Sequence, residues 1–236
     1  MNAASLARRD RRPELMDQPG LQPEAHRRAL EGLRRLNLWA GSARILRRPI
    51  ARLAARERRP LGVLDVACGA GDLPLALAQW SRRGGPALTL TGCDRSPVAV
   101  EHAGQAARRA GLPVTFVCAD ALGGALPLSA DVVTCSLFLH HLDEGEAVEL
   151  LGRLGAAARR LLLVADLRRG ALGFGLAWTA ARALSRSPIV HYDAPASVRA
   201  AFTPAEALAL AQRAGLQGAR VERVWPQRWL LSWWRP

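Results

Sequence analysis

The sequence predicts an α/β protein built on a doubly wound, mostly parallel sheet. From residue 61 onward, short apolar runs alternate with helical segments of about 10–15 residues, which is typical of strands joined by crossover helices. Polar residues stand at the ends of successive strands, where ligands bind in such sheets. With 236 residues, half of them apolar, the chain is long enough to bury the core of one domain.

Residues 1–60 predict a basic helical extension that precedes the main domain and forms part of a substrate lid. Apolar residues recur at helical spacing within 14–57, and arginines fill the opposite faces. A break near Gly41 separates the helices. Two or three amphipathic helices are expected here.

The main domain is predicted to span 61–236 and to begin with five parallel strands. In chain order they are LGVLDVA, ALTLTGCD, PVTFVCAD, ADVVTCSLF and RRLLLVAD. Helices are expected to start at Asp72, at Pro97 after the N-cap Ser96, and at Asp143. The crossovers between parallel strands should be right-handed.

The rhythm of the sequence changes after the fifth strand. Residues 167–202 predict a lid insertion of helical and loop material. Thr203 and Glu206 have the spacing of a capping box and predict the next helix. ARVERVWP and RWLLSWW then predict an antiparallel hairpin, which brings the expected strand number to seven.

The charge is strongly positive, at +13, and all 33 basic residues are arginine. The excess lies mainly in 1–60, where it could attract phosphates, anionic lipid or an acidic substrate. A solvated helix face is the favoured interpretation, so we expect no nucleic acid and at most a weak membrane-surface association through 14–57. No secretory signal and no apolar run of about 18 residues is present, so a cytoplasmic protein is expected.

The absence of lysine and the spacing of the cysteines exclude several kinds of catalytic and binding site. Without lysine, a Schiff base, a lysine general base and a Walker phosphate loop are excluded. No two cysteines form a CxxC pair, so no metal site is predicted, and small buried thiols in reduced form are expected. The four cysteines are Cys68, Cys93, Cys118 and Cys135.

The stretch LDVACGAGD, residues 64–72, predicts a glycine turn that holds a nucleotide. Pro74 stands where the dinucleotide fingerprint has its third glycine, which disfavours NAD without excluding it. Asp94 ends the second strand about 20 residues beyond the turn, where a carboxylate can accept both hydroxyls of a ribose.

The longer string VLDVACGAGDLPLALA resembles motif I of the class I S-adenosylmethionine-dependent methyltransferases. The resemblance covers about residues 61–166 and, more loosely, the C-terminal strand pair. With Cys68 where many members have glycine, it is similar to the branch of the ubiquinone and menaquinone biosynthesis methyltransferases and many natural-product enzymes. It implies a Rossmann-like fold, S-adenosylmethionine as cofactor and S-adenosylhomocysteine as product.

The resemblance also implies roles for individual residues in holding the cofactor. Gly69 and Gly71 let the backbone approach its methionine part, and Asp65 orients the loop and the cofactor's amino group. Asp94 receives the ribose, and Asp120 with Ala121 the adenine. The residues expected to bind the cofactor are Asp65, Ala67, Cys68, Gly69, Gly71, Asp94, Arg95, Asp120, Ala121 and Ser136.

Two pairs of residues are candidates for the catalytic chemistry. His140 and His141 follow the fourth strand and are general-base candidates, with His141 slightly favoured. Catalysis by proximity alone is the alternative. In the lid, His191 and Tyr192 could contact a phenol or carbonyl, or lie in a solvent-exposed loop.

The expected acceptor is a hydrophobic aromatic small molecule. Phe174, Trp178 and the N-terminal helices should supply an apolar pocket. The chain also looks like small-molecule methyltransferases of bacterial polyketide pathways, which implies O-methylation of a phenolic or enolic hydroxyl. C-methylation of a quinone-type precursor, an RNA methyltransferase and a non-catalytic cofactor or membrane-surface binder are the alternatives. The sequence gives no prediction of oligomeric state.

Overall fold

The computed structural model describes residues 6–17, 21–39 and 41–236. The strands are β1 (Leu61–Val66), β2 (Leu88–Asp94), β3 (Val114–Cys118), β4 (Ala130–Ser136), β5 (Ala158–Leu167), β6 (Arg220–Val224) and β7 (Arg228–Trp234). They form one sheet in the order β3-β2-β1-β4-β5-β7-β6. β1 to β5 are parallel, and β7 is antiparallel to both β5 and β6. The predicted seven-stranded α/β fold, with its antiparallel C-terminal hairpin, is confirmed.

The helices follow the predicted alternation. They are α1 (Pro23–Trp39), α2 (Ser42–Glu57), α3 (Asp72–Arg82), α4 (Pro97–Ala110), α5 (Glu144–Ala157), α6 (Ala171–Leu184), α7 (Pro188–Ala200) and α8 (Pro204–Arg213). Single turns of 3₁₀ helix occur at Leu15–Asp17 and Leu139–His141. The predicted lid insertion therefore consists largely of α6 and α7, which pack on each other and on α1.

Local capping residues fix the predicted helix starts. The Ser96 hydroxyl accepts a hydrogen bond from the Ala99 amide, which begins α4. Complete capping boxes begin α5, at Asp143, and α8, at Thr203. Each box satisfies two backbone N–H groups that a helix end leaves unpaired.

Apolar side chains cover both faces of the sheet. Leu150 and Leu154 of α5 pack on one face together with α8. Leu46, Ile50 and Leu53 of α2 pack on the other face with α3. The second helix of the N-terminal region thus contributes directly to the core of the main domain.

The cysteines are only partly where the sequence predicted them. Cys93 and Cys135 are buried free thiols, whereas Cys68 is half-buried. The prediction of burial is wrong for Cys118, which is exposed because β3 is an edge strand.

Among residues 6–17, 21–39 and 41–236, no helix is both long and apolar enough to cross a membrane.

Candidate active site

A cavity of about 320 Å³ opens at the carboxyl ends of β1, β4 and β5. The strand order reverses between β1 and β4, and open α/β sheets bind ligands at such a switch point. The turn after β1 and the segment after β4 line one side of the cavity, and α6, α7, the N-terminal region and the turn between β6 and β7 line the rest. The predicted site residues that line it are Asp65, Ala67, Cys68, Gly69, Ser136, His140 and His141.

The two glycines of the turn do different things. Gly69 has a φ of +51°, and apart from its two chain neighbours no described residue comes within 4 Å of the place where a Cβ would stand, so its backbone is open to the cavity. Gly71 has a φ of +79°, but a Cβ there would lie 2.7 Å from Cζ of Phe116 and 2.9 Å from Cβ of Ala103. Gly71 is therefore required for close packing of the turn, and it does not line the cavity.

Asp65 is a buried carboxylate at the edge of the cavity. Its side chain is 2% exposed, and the Thr134 hydroxyl donates a 2.6 Å hydrogen bond to Oδ1. Burial raises the pKa of Asp65 to about 7, with a further contribution from Asp94, although the bond from Thr134 opposes the shift. A cation in the cavity would stabilise the ionised form of Asp65.

Asp94 joins the end of β2 to the glycine turn. Its Oδ2 accepts a 2.8 Å hydrogen bond from the Gly69 amide, and its Oδ1 accepts a 2.9 Å bond from the Ser96 amide. Asp94 does not itself line the 320 Å³ cavity. It holds Gly69 in place and leaves further acceptor capacity on both oxygens.

Three further residues predicted to bind the cofactor, Arg95, Asp120 and Ala121, also lie outside the cavity wall. The exposed Asp120 accepts a 2.9 Å bond from the Leu122 amide. Backbone N–H groups of Leu122 and Gly123 hold the pKa of Asp120 below its usual range. Arg95 is exposed and Ala121 is buried.

Ser136 places a hydroxyl without a partner at the end of β4. Its Oγ is buried and meets no hydrogen-bonding group within the part of the chain that the structure describes. Leu137 follows with a φ of +56°, which is uncommon for a non-glycine residue and turns the chain along the cavity. A buried hydroxyl without a partner costs about 1–3 kcal/mol, which a bound ligand could recover.

His140 lies between two carboxylates. Its Nδ1 is 2.7 Å from Oδ1 of Asp166, and its amide donates to Oδ2 of the same residue. Its Nε2 lies 3.7 Å from Oε1 of Glu14. Burial alone would lower the pKa of His140, but Asp166 and Glu14 raise it to about 10. The two carboxylates therefore favour the protonated form of His140, and one ring nitrogen faces each of them.

Glu14 and Asp166 stay ionised in this arrangement. Burial opposes ionisation of both carboxyls, but the interaction with His140 holds the pKa of each below its usual range. The Ser197 hydroxyl also donates a hydrogen bond to Glu14. Sequence reasoning missed Glu14, since nothing near PELMD connects it to a histidine 126 positions later.

His141 lies beside His140 and faces the cavity. Their ring centroids are 4.3 Å apart, and the Phe138 ring lies 6.0 Å from that of His141. One donor atom from each of Glu14, His140 and His141 lies within 4.8 Å of the others. These three side chains could together hold a metal ion, a possibility that the sequence did not predict.

The candidates in the predicted lid lie elsewhere. The Nε2–H of His191 donates to the Ser185 carbonyl at 2.8 Å, and Tyr192 is 43% exposed. Phe174 is buried outside the cavity wall and Trp178 is 46% exposed, which corrects their expected role in the pocket. The face of α6 that lines the cavity is formed by Gly173, Leu176, Ala177 and Ala180.

Residues 6–17, here called the N-terminal strap, hold Glu14 in the cavity wall. The Arg9 guanidinium donates to the carbonyl oxygens of His140 and Leu142, at 2.8 and 2.6 Å. The Asp193 carboxylate accepts hydrogen bonds from the amides of Leu15 and Met16, at 2.8 and 3.1 Å. The strap thus ties the segment after β4 to α7.

Comparisons with known proteins agree with this geometry. A family model described as "Methyltransferase domain" matches residues 63–160. A demethylmenaquinone methyltransferase of Thermus thermophilus is 35% identical over 112 residues, which are 47% of this chain and 49% of the relative. A ubiquinone biosynthesis O-methyltransferase of Pseudomonas fluorescens is 38% identical over 88 residues, which are 36% of this chain and 35% of the relative. The chain thus spans half or less of the length of these relatives.

A solved structure shares the fold over the whole chain. The S-adenosylmethionine-dependent methyltransferase SibL in its apo form superposes with a TM-score of 0.66 at 21% identity, covering 100% of this chain and 66% of SibL. Residues 63–160 accordingly match a methyltransferase domain model, and the chain shares the fold of an S-adenosylmethionine-dependent methyltransferase.

Proposed function

We propose that the protein is an S-adenosylmethionine-dependent methyltransferase of a hydrophobic small molecule, and that it methylates a phenolic or enolic hydroxyl. One observation carries the proposal. One cavity is lined by the turn at Gly69, by the buried carboxylate of Asp65, by Ser136, whose hydroxyl has no partner among the described residues, and by the ionisable side chains of Glu14, His140 and His141. A methyl donor and an acceptor could therefore meet inside it.

In this proposal, the polar groups at the ends of β1, β2 and β4 bind the cofactor. The Asp65 carboxylate pairs with the ammonium group of the cofactor, and the backbone at Gly69 lies against the methionine part. Ser136 supplies its free hydroxyl to the same end. The Asp94 carboxylate accepts the ribose hydroxyls, and the segment of Asp120 and Ala121 contacts the adenine.

The acceptor half lies between α6, α7 and the N-terminal region. Met16, Leu36 and Leu176 are among the apolar residues in this part of the wall, and they suit a lipophilic ring. The hydroxyl would face Glu14 and His141. The hydroxyl oxygen attacks the methyl carbon in line as the carbon–sulfur bond breaks. The hydroxyl proton departs toward Glu14 and His141.

C-methylation of a quinone-type precursor is the second candidate. It is favoured by the name of the Thermus relative, a demethylmenaquinone methyltransferase, whereas the name of the Pseudomonas relative favours O-methylation. An activated phenol can attack through carbon or oxygen, and the same cavity would serve both. The apolar walls favour either reaction over methylation of RNA.

The cofactor assignment is tested by calorimetric titration. We expect S-adenosylmethionine and S-adenosylhomocysteine to bind with micromolar dissociation constants, equivalent to about −8 kcal/mol. NADH should not bind. Binding of NADH, with neither adenosyl ligand bound, would refute the proposal.

The acceptor assignment is tested with labelled methyl donor and a panel of lipophilic phenols. Mass spectrometry detects transfer, and carbon NMR of the product separates an O-methyl from a C-methyl group. His141→Ala should slow turnover about 10²–10⁴-fold while S-adenosylhomocysteine still binds, as expected for loss of a group that assists proton removal. Wild-type turnover in this variant would leave proximity as the mechanism.

A further inference from the structure

The side chains of Glu14, His140 and His141 converge on one point of the cavity wall. Their donor atoms all lie within 4.8 Å of one another, and Nε2 of His140 is 3.7 Å from the Glu14 carboxylate. Around a metal ion with bonds of about 2.1 Å, neighbouring ligand atoms are separated by about 3.0–3.4 Å, so small rotations of the side chains bring this set to bonding distance.

The surroundings of His140 are those of a metal-ligating histidine. Such a histidine normally donates its second ring N–H to a carboxylate, which fixes the ring and leaves the other nitrogen for the metal. Nδ1 of His140 has this bond, at 2.7 Å to Asp166, a carboxylate that is 1% exposed. Nε2 is the nitrogen directed toward Glu14.

We propose that Glu14, His140 and His141 form a binding site for a divalent transition-metal ion, oriented by Asp166. Two imidazoles and one carboxylate are a ligand set that suits ions such as Zn²⁺, Co²⁺ or Fe²⁺. Binding displaces the proton on Nε2 of His140 to solvent. The three protein ligands leave further coordination positions on the side of the cavity.

The metal site would favour one class of methyl acceptor, an inference that rests on the proposed function. An acceptor whose hydroxyl neighbours a carbonyl or a second hydroxyl could occupy two open positions at once. An ion held there would lower the pKa of the hydroxyl and so favour loss of its proton to solvent. The acceptor oxygen would then attack the methyl carbon as the carbon–sulfur bond breaks, and the sulfur would leave with the bonding electrons as the neutral thioether.

Cobalt is the probe for this site, and the untagged full-length protein is titrated after treatment with a chelator. We expect one equivalent of Co²⁺ to bind and to produce visible ligand-field absorption. His141→Ala and Glu14→Gln should each weaken binding about tenfold or more. His102→Ala, in α4 and outside the cavity wall, is the matched control and should bind like wild type. Circular dichroism verifies folding.

A second measurement uses only the wild-type protein and therefore does not depend on how the variants fold. In nitrogen-15 NMR spectra of the side chains, Co²⁺ should broaden the imidazole signals of His140 and His141 and spare those of His102 and His191. The proposal is overturned by absence of saturable binding, by equal binding in all variants, or by broadening at other histidines only.

The outcomes separate this site from the proposed function. S-adenosylhomocysteine binding without cobalt binding overturns the metal site alone. Cobalt binding at these residues without binding of either adenosyl ligand overturns the methyltransferase proposal alone.

Discussion

A buried carboxylate at the end of β1 determines how cofactor binding should depend on pH. With its pKa raised to about 7, Asp65 is about half protonated at neutral pH in the free protein. The ammonium group of the cofactor favours the ionised form, so affinity is highest above pH 7 and falls as the pH drops below it. We expect the dissociation constant of S-adenosylhomocysteine to rise about tenfold from pH 8 to pH 6, measured by calorimetry.

Asp65→Asn is the matched variant for this prediction. It keeps the shape of the side chain and cannot ionise, so binding should be weaker than in wild type and should not change over this pH range. A wild-type profile as flat as that of the variant would contradict the assigned contact between Asp65 and the ammonium group.

Ser136 offers a second test, because its effects on folding and on binding should have opposite signs. Ser136→Ala removes a buried hydroxyl that has no partner among the residues the structure describes, so the ligand-free protein should keep or gain thermal stability. Cofactor affinity should fall by about 0.5–1.5 kcal/mol, the usual contribution of one hydrogen bond. Loss of thermal stability together with unchanged cofactor affinity would show that Ser136 stabilises the folded protein and does not contact the cofactor.

Some of these residues were visible in the sequence and others were not. The apolar pattern of the strands that contain Asp65 and Ser136 is local and predicted those strands, and the family resemblance then named both residues as cofactor-binding. Glu14 reaches the cavity through contacts between the N-terminal strap, α7 and the segment after β4. No pattern within the strap encodes those contacts.

At the scale of elements, the two glycines of the turn between β1 and α3 should have different roles, one mainly in stability and the other mainly in ligand binding. Gly69→Ala and Gly71→Ala both force an alanine into a left-handed backbone, which costs about 1–2 kcal/mol. Gly71→Ala also overpacks the contact with Phe116 and Ala103, which adds about 1–3 kcal/mol. We expect denaturant unfolding to show the larger loss of stability for Gly71→Ala.

Gly69→Ala should instead affect binding more than stability. Its added methyl group meets open space beside the cavity, so it should weaken S-adenosylhomocysteine binding relative to wild type. Equal loss of stability in the two variants, with unchanged binding in Gly69→Ala, would contradict the division of roles. The sequence predicted one role for both glycines because both occupy the same motif.

Helix starts and helix faces differ in how well the sequence predicts them. Helices begin at Ser96, Asp143 and Thr203, whose side chains accept hydrogen bonds from amides three residues away. Because these contacts are short-range, the sequence alone predicts them. The inward face of α6 depends on how α1 and α7 pack against it. Phe174 and Trp178 were therefore assigned to the cavity, whereas smaller residues of the same helix line it.

For the molecule as a whole, the strap is held against α7. The Asp193 carboxylate is 1% exposed and accepts two strap amides. Asp193→Ala leaves both amides without this acceptor and should cost about 1.5–3 kcal/mol, the usual contribution of a hydrogen bond to a charged group. Trypsin should then cut faster at the arginines of the strap, as read by mass spectrometry.

Asp10→Ala is the matched control for this experiment. Asp10 is a half-buried carboxylate of the same strap that pairs with Arg12 and lies 3.9 Å from Arg199 of α7, and its loss should raise the cleavage rate less than Asp193→Ala does. S-adenosylhomocysteine affinity should be retained in both variants, because the strap borders the acceptor end. Equal protease resistance of Asp193→Ala and wild type would show that Asp193 does not hold the strap.

The direction of β7 has a practical consequence for handling the protein. β7 leaves the cavity at Arg228 and ends at Trp234, which pairs with Leu161 near the opposite end of β5. A purification tag joined after Pro236 would therefore emerge on the far side of the sheet. A tag joined ahead of the strap would adjoin the segment that delivers Glu14, and a histidine-rich tag there would compete for the ion that the cobalt titration measures. Assays of the acceptor reaction are best begun with the tag at the carboxyl end.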